Sequence, residues 1–137
     1  MDDRITVYAA RNDPRALSAW HHHGENVACV YVMEGKLRIE WGPDERDSAE
    51  LAAGDFYVIA PGAIHREANP GAEDHLLVGF AVGSGPKFFD VDGPAAAAGS
   101  VREGPPVRVC RAGDMVAGPS SEGMTRAIGD IDDEISV

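Results

Sequence analysis

What most restricts the fold of this chain is its punctuation. Sixteen glycines and nine prolines are spread over 137 residues, and most of them separate short apolar runs. Runs bounded so closely by turn formers read as strands. Residues 5–9 read as a strand, and Arg11-Asn12-Asp13-Pro14 as a turn in which Pro14 fixes φ. Residues 17–23 read as a second strand and residues 27–33, rich in β-formers, as a third. Glu34-Gly35 makes a tight turn in which Gly35 can take positive φ, and residues 36–41 alternate polar and apolar as the return strand. Gly42-Pro43-Asp44 and the charged residues up to Glu50 read as an exposed loop. Residues 56–59 and 64–68 are strands around a Pro61-Gly62 turn. Residues 75–82 are almost continuously apolar, the pattern of a strand buried on both faces. No stretch carries a helical period. The expectation is an all-β domain, a small barrel or sandwich.

At 137 residues the chain is long enough for one domain with a real core. Its formal net charge of -11 argues against nucleic acid or an anionic membrane surface as partner. No apolar run approaches a membrane span, and Met1-Asp2-Asp3-Arg4 lacks a signal-peptide pattern. Cys29 and Cys110 form neither a metal spacing nor a disulfide framework, so a reduced, cytoplasmic setting is expected.

Histidine is sparse, five in the chain, yet His21, His22 and His23 are consecutive and His65 follows a Pro-Gly turn. On an extended segment residues i and i+2 share a face, so His21 and His23 project together and His22 projects away. One more imidazole from a neighbouring strand, such as His65, completes a three-nitrogen face for a divalent metal, with coordination positions left for substrate. The plainer reading of the triplet is a solvated patch. Glu25 is in phase with His23 and is a candidate extra ligand, although Gly24 bends the chain between them. His22 is expected at the surface or as a hydrogen-bond partner of a ligand, and His75 as a satisfied histidine at a strand start. Cys29 is expected as a small packed side chain. Trp20, Trp41, Phe56, Tyr57 and Phe80 either line a pocket or belong to the core. Arg66-Glu67 either orients a substrate carboxylate or forms a cross-strand ion pair.

These residues resemble the cupin superfamily, in particular small single-domain cupins of actinobacteria. The first cupin motif, G-x5-H-x-H-x(3,4)-E-x6-G, is met by His21, His23 and Gly35. The second, G-x5-P-x-G-x2-H-x3-N, is met by Gly54, Gly62, His65 and Asn69, with its proline displaced by one residue to Pro61. The resemblance covers residues 17–82 and implies a cupin jelly-roll β-barrel, or double-stranded β-helix, with His21, His23 and His65 as metal ligands. The motif's glutamate falls at Ala28, and the loss of that carboxylate resembles the three-histidine iron sites of thiol and diketone dioxygenases.

Three functional readings follow from the resemblance. The first is an Fe2+ dioxygenase-type enzyme binding one metal per chain and a small anionic or chelating substrate. The second is a non-redox cyclase, isomerase or lyase with Zn2+, Ni2+ or Mn2+, similar to polyketide cyclases, in which Tyr57, Glu67 or His22 acts as acid or base. The third is a non-catalytic small-molecule-binding cupin. A homodimer is the expected assembly.

The last third departs from a simple cupin. Residues 92–106 are rich in Ala, Gly and Pro and read as a flexible linker between a barrel core at 1–91 and C-terminal strands at 107–137. Val107 to Cys110 reads as a strand, residues 113–123 as a loop, and 124–128 and 131–137 as further extended segments. A Gly-Met-Thr-Arg run at 123–126 resembles what precedes the first strand in those small cupins. This suggests a circular permutation, with the C-terminal strands completing the same barrel or a partner's, and the plainer reading is a disordered acidic tail.

Overall fold

A computed structural model describes residues 4–42, 47–94, 105–114, 116–117 and 125–126. Two five-stranded antiparallel sheets face one another. The first runs β1 (Ile5–Asn12), β8 (His75–Val82), β3 (Val27–Glu34), β6 (Phe56–Ile59), β10 (Val107–Cys110). The second runs β5 (Asp47–Ala52), β4 (Lys36–Trp41), β7 (His65–Ala68), β2 (His21–His22), β9 (Phe89–Asp90). A small separate pair, β11 (Val116–Ala117) and β12 (Thr125–Arg126), follows. The alternation read in the sequence places Val30 and Val32 of β3 against Leu37 and Ile39 of β4, with Ile59 and Leu77 closing the same core. Among the described residues no helix is long and apolar enough to cross a membrane.

Three sequence expectations are corrected by these strands. β8 is not buried on both faces: its residues alternate, and Phe80 and Val82 are each 41% exposed. Its apolar run arises because the outer face of the β1-β8-β3 sheet also carries hydrophobic residues, Val7 and Met33 among them. The charged stretch up to Glu50 is not all loop. Residues 47–52 form β5, because Leu51 and Ala49 face inward opposite Leu37 and Ile39 while the charges between them face solvent. The strand expected at 17–23 shrinks to His21–His22 plus a single bridge from Leu17 to Ala68, since Gly24 at φ 62° turns the chain directly after His23.

Polar residues fasten the ends of the sheets. The motif asparagine, Asn69, is buried and donates through Nδ2 to the carbonyls of Asn12 (3.3 Å), Asp13 (3.1 Å) and Glu73 (2.8 Å). It therefore holds the turn after β1 against the turn after β7. Arg15 stands where the first motif opens with glycine, and it takes φ 65°, a left-handed conformation that costs a non-glycine residue about 1–2 kcal/mol. Gly35 takes φ 83°, and a Cβ there would meet His75 Cβ at 2.9 Å.

Val107–Cys110 pairs with β6 at the edge of the first sheet. Asp55 secures this edge by accepting hydrogen bonds from Ala52 N and Ala112 N, both at 2.9 Å. Burial would raise the Asp55 carboxyl, but these amides and Arg111 hold it below its usual range. The expected loop at 113–123 contains a short 3₁₀ turn at Ala112–Asp114 and β11. The loop expectation at 43–46, most of the linker at 95–104, and the extended segment at 131–137 lie outside the described residues.

Candidate metal centre

The two motifs meet in the middle of the second sheet, where His21 on β2 and His65 on β7 are direct partners across the strands. His23 lies two residues further and shares the face of His21, with ring centroids 5.2 Å apart. The His21–His65 and His23–His65 ring centroids are 4.3 and 5.0 Å apart. His65 is fully buried and His23 nearly so.

The backbone fixes how each ring is used. Nδ1 of His21, His23 and His65 lies 2.8, 2.9 and 2.9 Å from the carbonyls of Ala19, Lys87 and Ala63 respectively. A carbonyl can only accept, so each Nδ1 carries a proton and each Nε2 is the nitrogen left for other partners. One nitrogen of each ring lies within 4.8 Å of the others, and Nε2 of His65 is buried without a hydrogen-bond partner. A buried, unpartnered ring nitrogen is uncommon, and three converging imidazole nitrogens whose Nδ1 atoms are held by the backbone are the donor set of a transition-metal site. The three histidines are positioned to bind a metal ion.

Glu67 lies beside two of the three histidines. Residues i and i+2 share a strand face, so it points inward beside His65 on β7. Its Oε1 is 3.3 Å from His65 Nε2 and its Oε2 is 3.4 Å from His21 Nε2. Tyr57, fully buried on β6, donates its hydroxyl to Glu67 Oε1 at 3.1 Å, and Ser18 Oγ reaches Oε2 at 3.4 Å. Burial alone would raise the Glu67 carboxyl, but His65, His21 and the Tyr57 hydroxyl hold it down at about 2. Tyr57 moves the opposite way: burial first, then the Glu67 charge, push its hydroxyl well above the usual value. Tyr57 thus keeps its proton and directs it at Glu67. Burial and the neighbouring His65 lower His23 to about 4, which keeps that ring neutral.

The other sequence candidates sit elsewhere. His22 projects away, stacked on Phe89 at 4.9 Å with its Nδ1 accepting from Gly24 N at 3.0 Å. Glu25 is exposed in the turn made by Gly24 and does not join the cluster, so the parity argument fails where the strand ends. Ala28 is buried in the hydrophobic core. Arg66 faces out, bonded to Glu40 at 2.6 Å and lying 4.5 Å above the Trp20 ring, so of the two readings of Arg66 the cross-strand pair holds. Burial pushes the Cys29 thiol up to about 11, consistent with a packed side chain.

The cluster opens on a cavity of about 280 Å³ between the sheets. Tyr8, Val30, Tyr57, Leu77 and Phe88 supply apolar walls, and Asn12, Asn69 and His75 a polar end. Tyr8 lies flat across Gly79, where a Cβ would fall on its ring, and meets Phe88 edge-on at 5.8 Å. Burial raises the Tyr8 hydroxyl to about 12.

The family model for the cupin domain matches residues 11–81, a stretch that holds all three histidines and more than half of the chain. The chain is a cupin. This cupin is 32% identical over 63 residues to the uncharacterized protein YdbB of Bacillus subtilis (strain 168), a match covering 46% of this chain and 49% of that one. The cupin thus aligns with about half the length of that curated relative. Among solved structures it is similar to an uncharacterized conserved protein with a double-stranded beta-helix domain from Klebsiella pneumoniae (TM-score 0.60, 22% identity, 67% of this chain and 78% of that one). It is also similar to a recombinant oxalate oxidase in complex with glycolate (TM-score 0.58, 21% identity, 64% and 46%) and to a 7S globulin of Momordica charantia (TM-score 0.57, 22% identity, 70% and 29%). At such identities the likeness concerns the double-stranded β-helix alone.

Two parts of the site escape sequence reasoning. Lys87, whose carbonyl orients His23, and Phe88, which packs edge-on at 5.1 Å against the same ring, come from a loop without motif residues. That loop is clamped by Asn26, fully buried, whose Nδ2 donates to the carbonyls of His23 (2.8 Å), Ser84 (3.2 Å) and Pro86 (3.2 Å) while its Oδ1 accepts from Lys87 Nζ at 2.6 Å. A lone Asn between a turn and a strand gives no sequence signal that separates this role from an ordinary turn residue.

Proposed function

We infer that this cupin is a mononuclear metal-dependent enzyme acting on a small molecule, with His21, His23 and His65 holding the ion. The observation that carries the reading is the set of three imidazoles whose Nδ1 atoms are committed to backbone carbonyls while one nitrogen of each ring lies within 4.8 Å of the others, with His21 and His23 at the wall of a cavity. When bound, Fe2+ would supply dioxygenase-type chemistry, and Zn2+, Ni2+ or Mn2+ Lewis-acid chemistry.

This chain's own residues bind, orient and exclude water. Val30, Leu77 and Phe88 keep the reacting groups dry, and the volume near 280 Å³ admits only a small substrate. Among the described residues no lysine or arginine lines the cavity. An anionic or chelating substrate group is therefore expected to face the three histidines, where a metal would offset its charge. The oxygenase reading fits three imidazole ligands with positions left for substrate. A non-redox isomerase or cyclase reading is favoured by one feature, the Glu67 carboxylate and the Tyr57 hydroxyl bonded to it in the same cavity, two groups that can hydrogen-bond a substrate beside the histidines.

The test is metal content of protein purified without a His-tag or chelator, alongside a His65→Ala variant. Near-stoichiometric iron lost in the variant is the expected result, followed by O2 consumption with thiols, diketones or phenolic acids. Zinc or nickel lost in the variant moves the assignment to non-redox chemistry. Native protein that holds no metal and takes none up on titration overturns the reading.

A further inference from the structure

We propose that the outer face of the first sheet, across β1, β8 and β3, is where a second copy of this chain docks, giving a two-fold dimer. This surface is separate from the metal centre, whose His21 and His65 lie on strands of the second sheet.

The outer faces of the two sheets differ in chemistry. Nine large hydrophobic side chains are exposed among the described residues, and six of them, Ile5, Val7, Tyr31, Met33, Phe80 and Val82, belong to β1, β3 and β8. Strand register gathers them. Val82 pairs with Ile5 on one side and Val27 on the other, Phe80 with Val7 and Cys29, and Val78 with Ala9 and Tyr31. Residues paired across strands share a face, so these rows form one continuous apolar surface. The second sheet shows solvent the opposite character. Its β4 turns out Lys36, Arg38 and Glu40, with Arg38 and Arg66 bonded to Glu40 at 2.9 and 2.6 Å. Single exposed hydrophobics are ordinary, but a contiguous patch of them on one of two sheets marks a surface built to be covered.

Its size suits a protein partner. The three strands have eight residues each. At ~3.4 Å per residue and ~4.8 Å between strands they give a face of roughly 400 Å² in flat projection, to which the relief of the side chains adds. Two such faces bury on the order of 1,000 Å², the size from which a specific contact holds. Phe80, Tyr31 and Met33 are also the residue types that enrich the cores of protein interfaces.

Charge singles out a copy of the same chain. With a formal net charge of -11, two copies repel one another except where a face is free of that excess. At the outward positions of β1, β8 and β3 the charged side chains are Arg11 and Glu34, one of each sign, 3.8 Å apart at one end of the face. A two-fold contact sets a patch against itself, and an apolar patch without net charge complements its own copy. A basic partner would find no surplus of carboxylates there.

The test is sedimentation velocity of the full chain over a wide range of concentration. Wild type, Phe80→Glu, Tyr31→Glu and Lys36→Glu are compared, with circular dichroism of each as the control for folding. Wild type is expected at twice the 14.5 kDa mass of one chain. Phe80→Glu, at the middle of the face, should weaken the dimer by about 100-fold and Tyr31→Glu by about tenfold. Lys36→Glu, on the other sheet, should leave it unchanged. Should Phe80→Glu fail to fold, Tyr31→Glu and Val7→Glu decide by the same readout. A dimer that keeps its affinity in the Phe80 and Tyr31 variants rests on another surface and overturns the proposal, as does equal weakening by Lys36→Glu. A wild type that stays at 14.5 kDa overturns it in favour of another cover for the face, a different protein or this chain's own residues 127–137.

Discussion

Two kinds of buried histidine lie between the same two sheets, and they differ in a single ring nitrogen. His75 and His65 are both at or below 1% exposure, and both donate Nδ1–H to a backbone carbonyl, Lys36 at 2.7 Å and Ala63 at 2.9 Å. At His75 the second nitrogen is also satisfied, accepting from Asn12 Nδ2 at 2.9 Å. At His65 the second nitrogen meets other imidazoles and a carboxylate and has no hydrogen-bond partner. Burial and tautomer are the same. What separates a structural histidine from one held ready for a cation is the chemistry facing its free lone pair.

The largest test of this contrast swaps the two losses. His65→Ala should abolish metal uptake, whereas His75→Ala should keep metal affinity within a few-fold and instead lower stability by about 2–4 kcal/mol. That figure reflects an orphaned Lys36 carbonyl and Asn12 amide together with the cavity left behind. Metal titration and urea unfolding of the metal-free proteins read both effects. Equal destabilisation by the two substitutions would break the distinction.

Asn26→Ala sharpens it from outside either site. Losing the clamp on three carbonyls and Lys87 should lower stability by about 2 kcal/mol and weaken metal binding about tenfold, because the Lys87 carbonyl that orients His23 is then free to move. Unchanged metal affinity beside lowered stability would mean that the loop supports the fold and not the ligand.

The smallest expected effect runs the other way. Arg15→Gly relieves left-handed strain of about 1–2 kcal/mol against about 0.5–1 kcal/mol of added freedom in the unfolded chain. A net gain of about 0.5–1 kcal/mol should appear in urea melts with metal affinity unaltered. Lowered stability would show that the arginine side chain contributes more than its backbone strain removes.

Much of the frame was legible because it rests on local rules. Gly35, the alternation of β3 and β4, and the parity of His21 and His23 follow from backbone geometry that reads directly in residue order. The expectation failed where long-range packing decides. β8 looked buried on both faces because composition cannot tell a core face from an apolar outer one. β5 looked like loop because its charges point outward from a single inward leucine. Glu25 had the right parity, but Gly24 ended the strand first, while Glu67 had the same parity with His65 on a strand that continues. The carbonyls that set the imidazole tautomers belong to Ala19, Ala63 and Lys87, whose side chains carry no hint of that task.

Gly79 sits on the inner face of β8 with the Tyr8 ring laid across it, so closely that a methyl group would stand 2.2 Å from Tyr8 Cζ. The bore of the chamber is thus set by a missing methyl group in its wall. Any larger residue at 79 displaces a phenol ring, and with it the girth of whatever molecule can approach the histidines. Size selectivity in this cupin can therefore change, by mutation or by design, at a position that touches neither the guest nor its ligands.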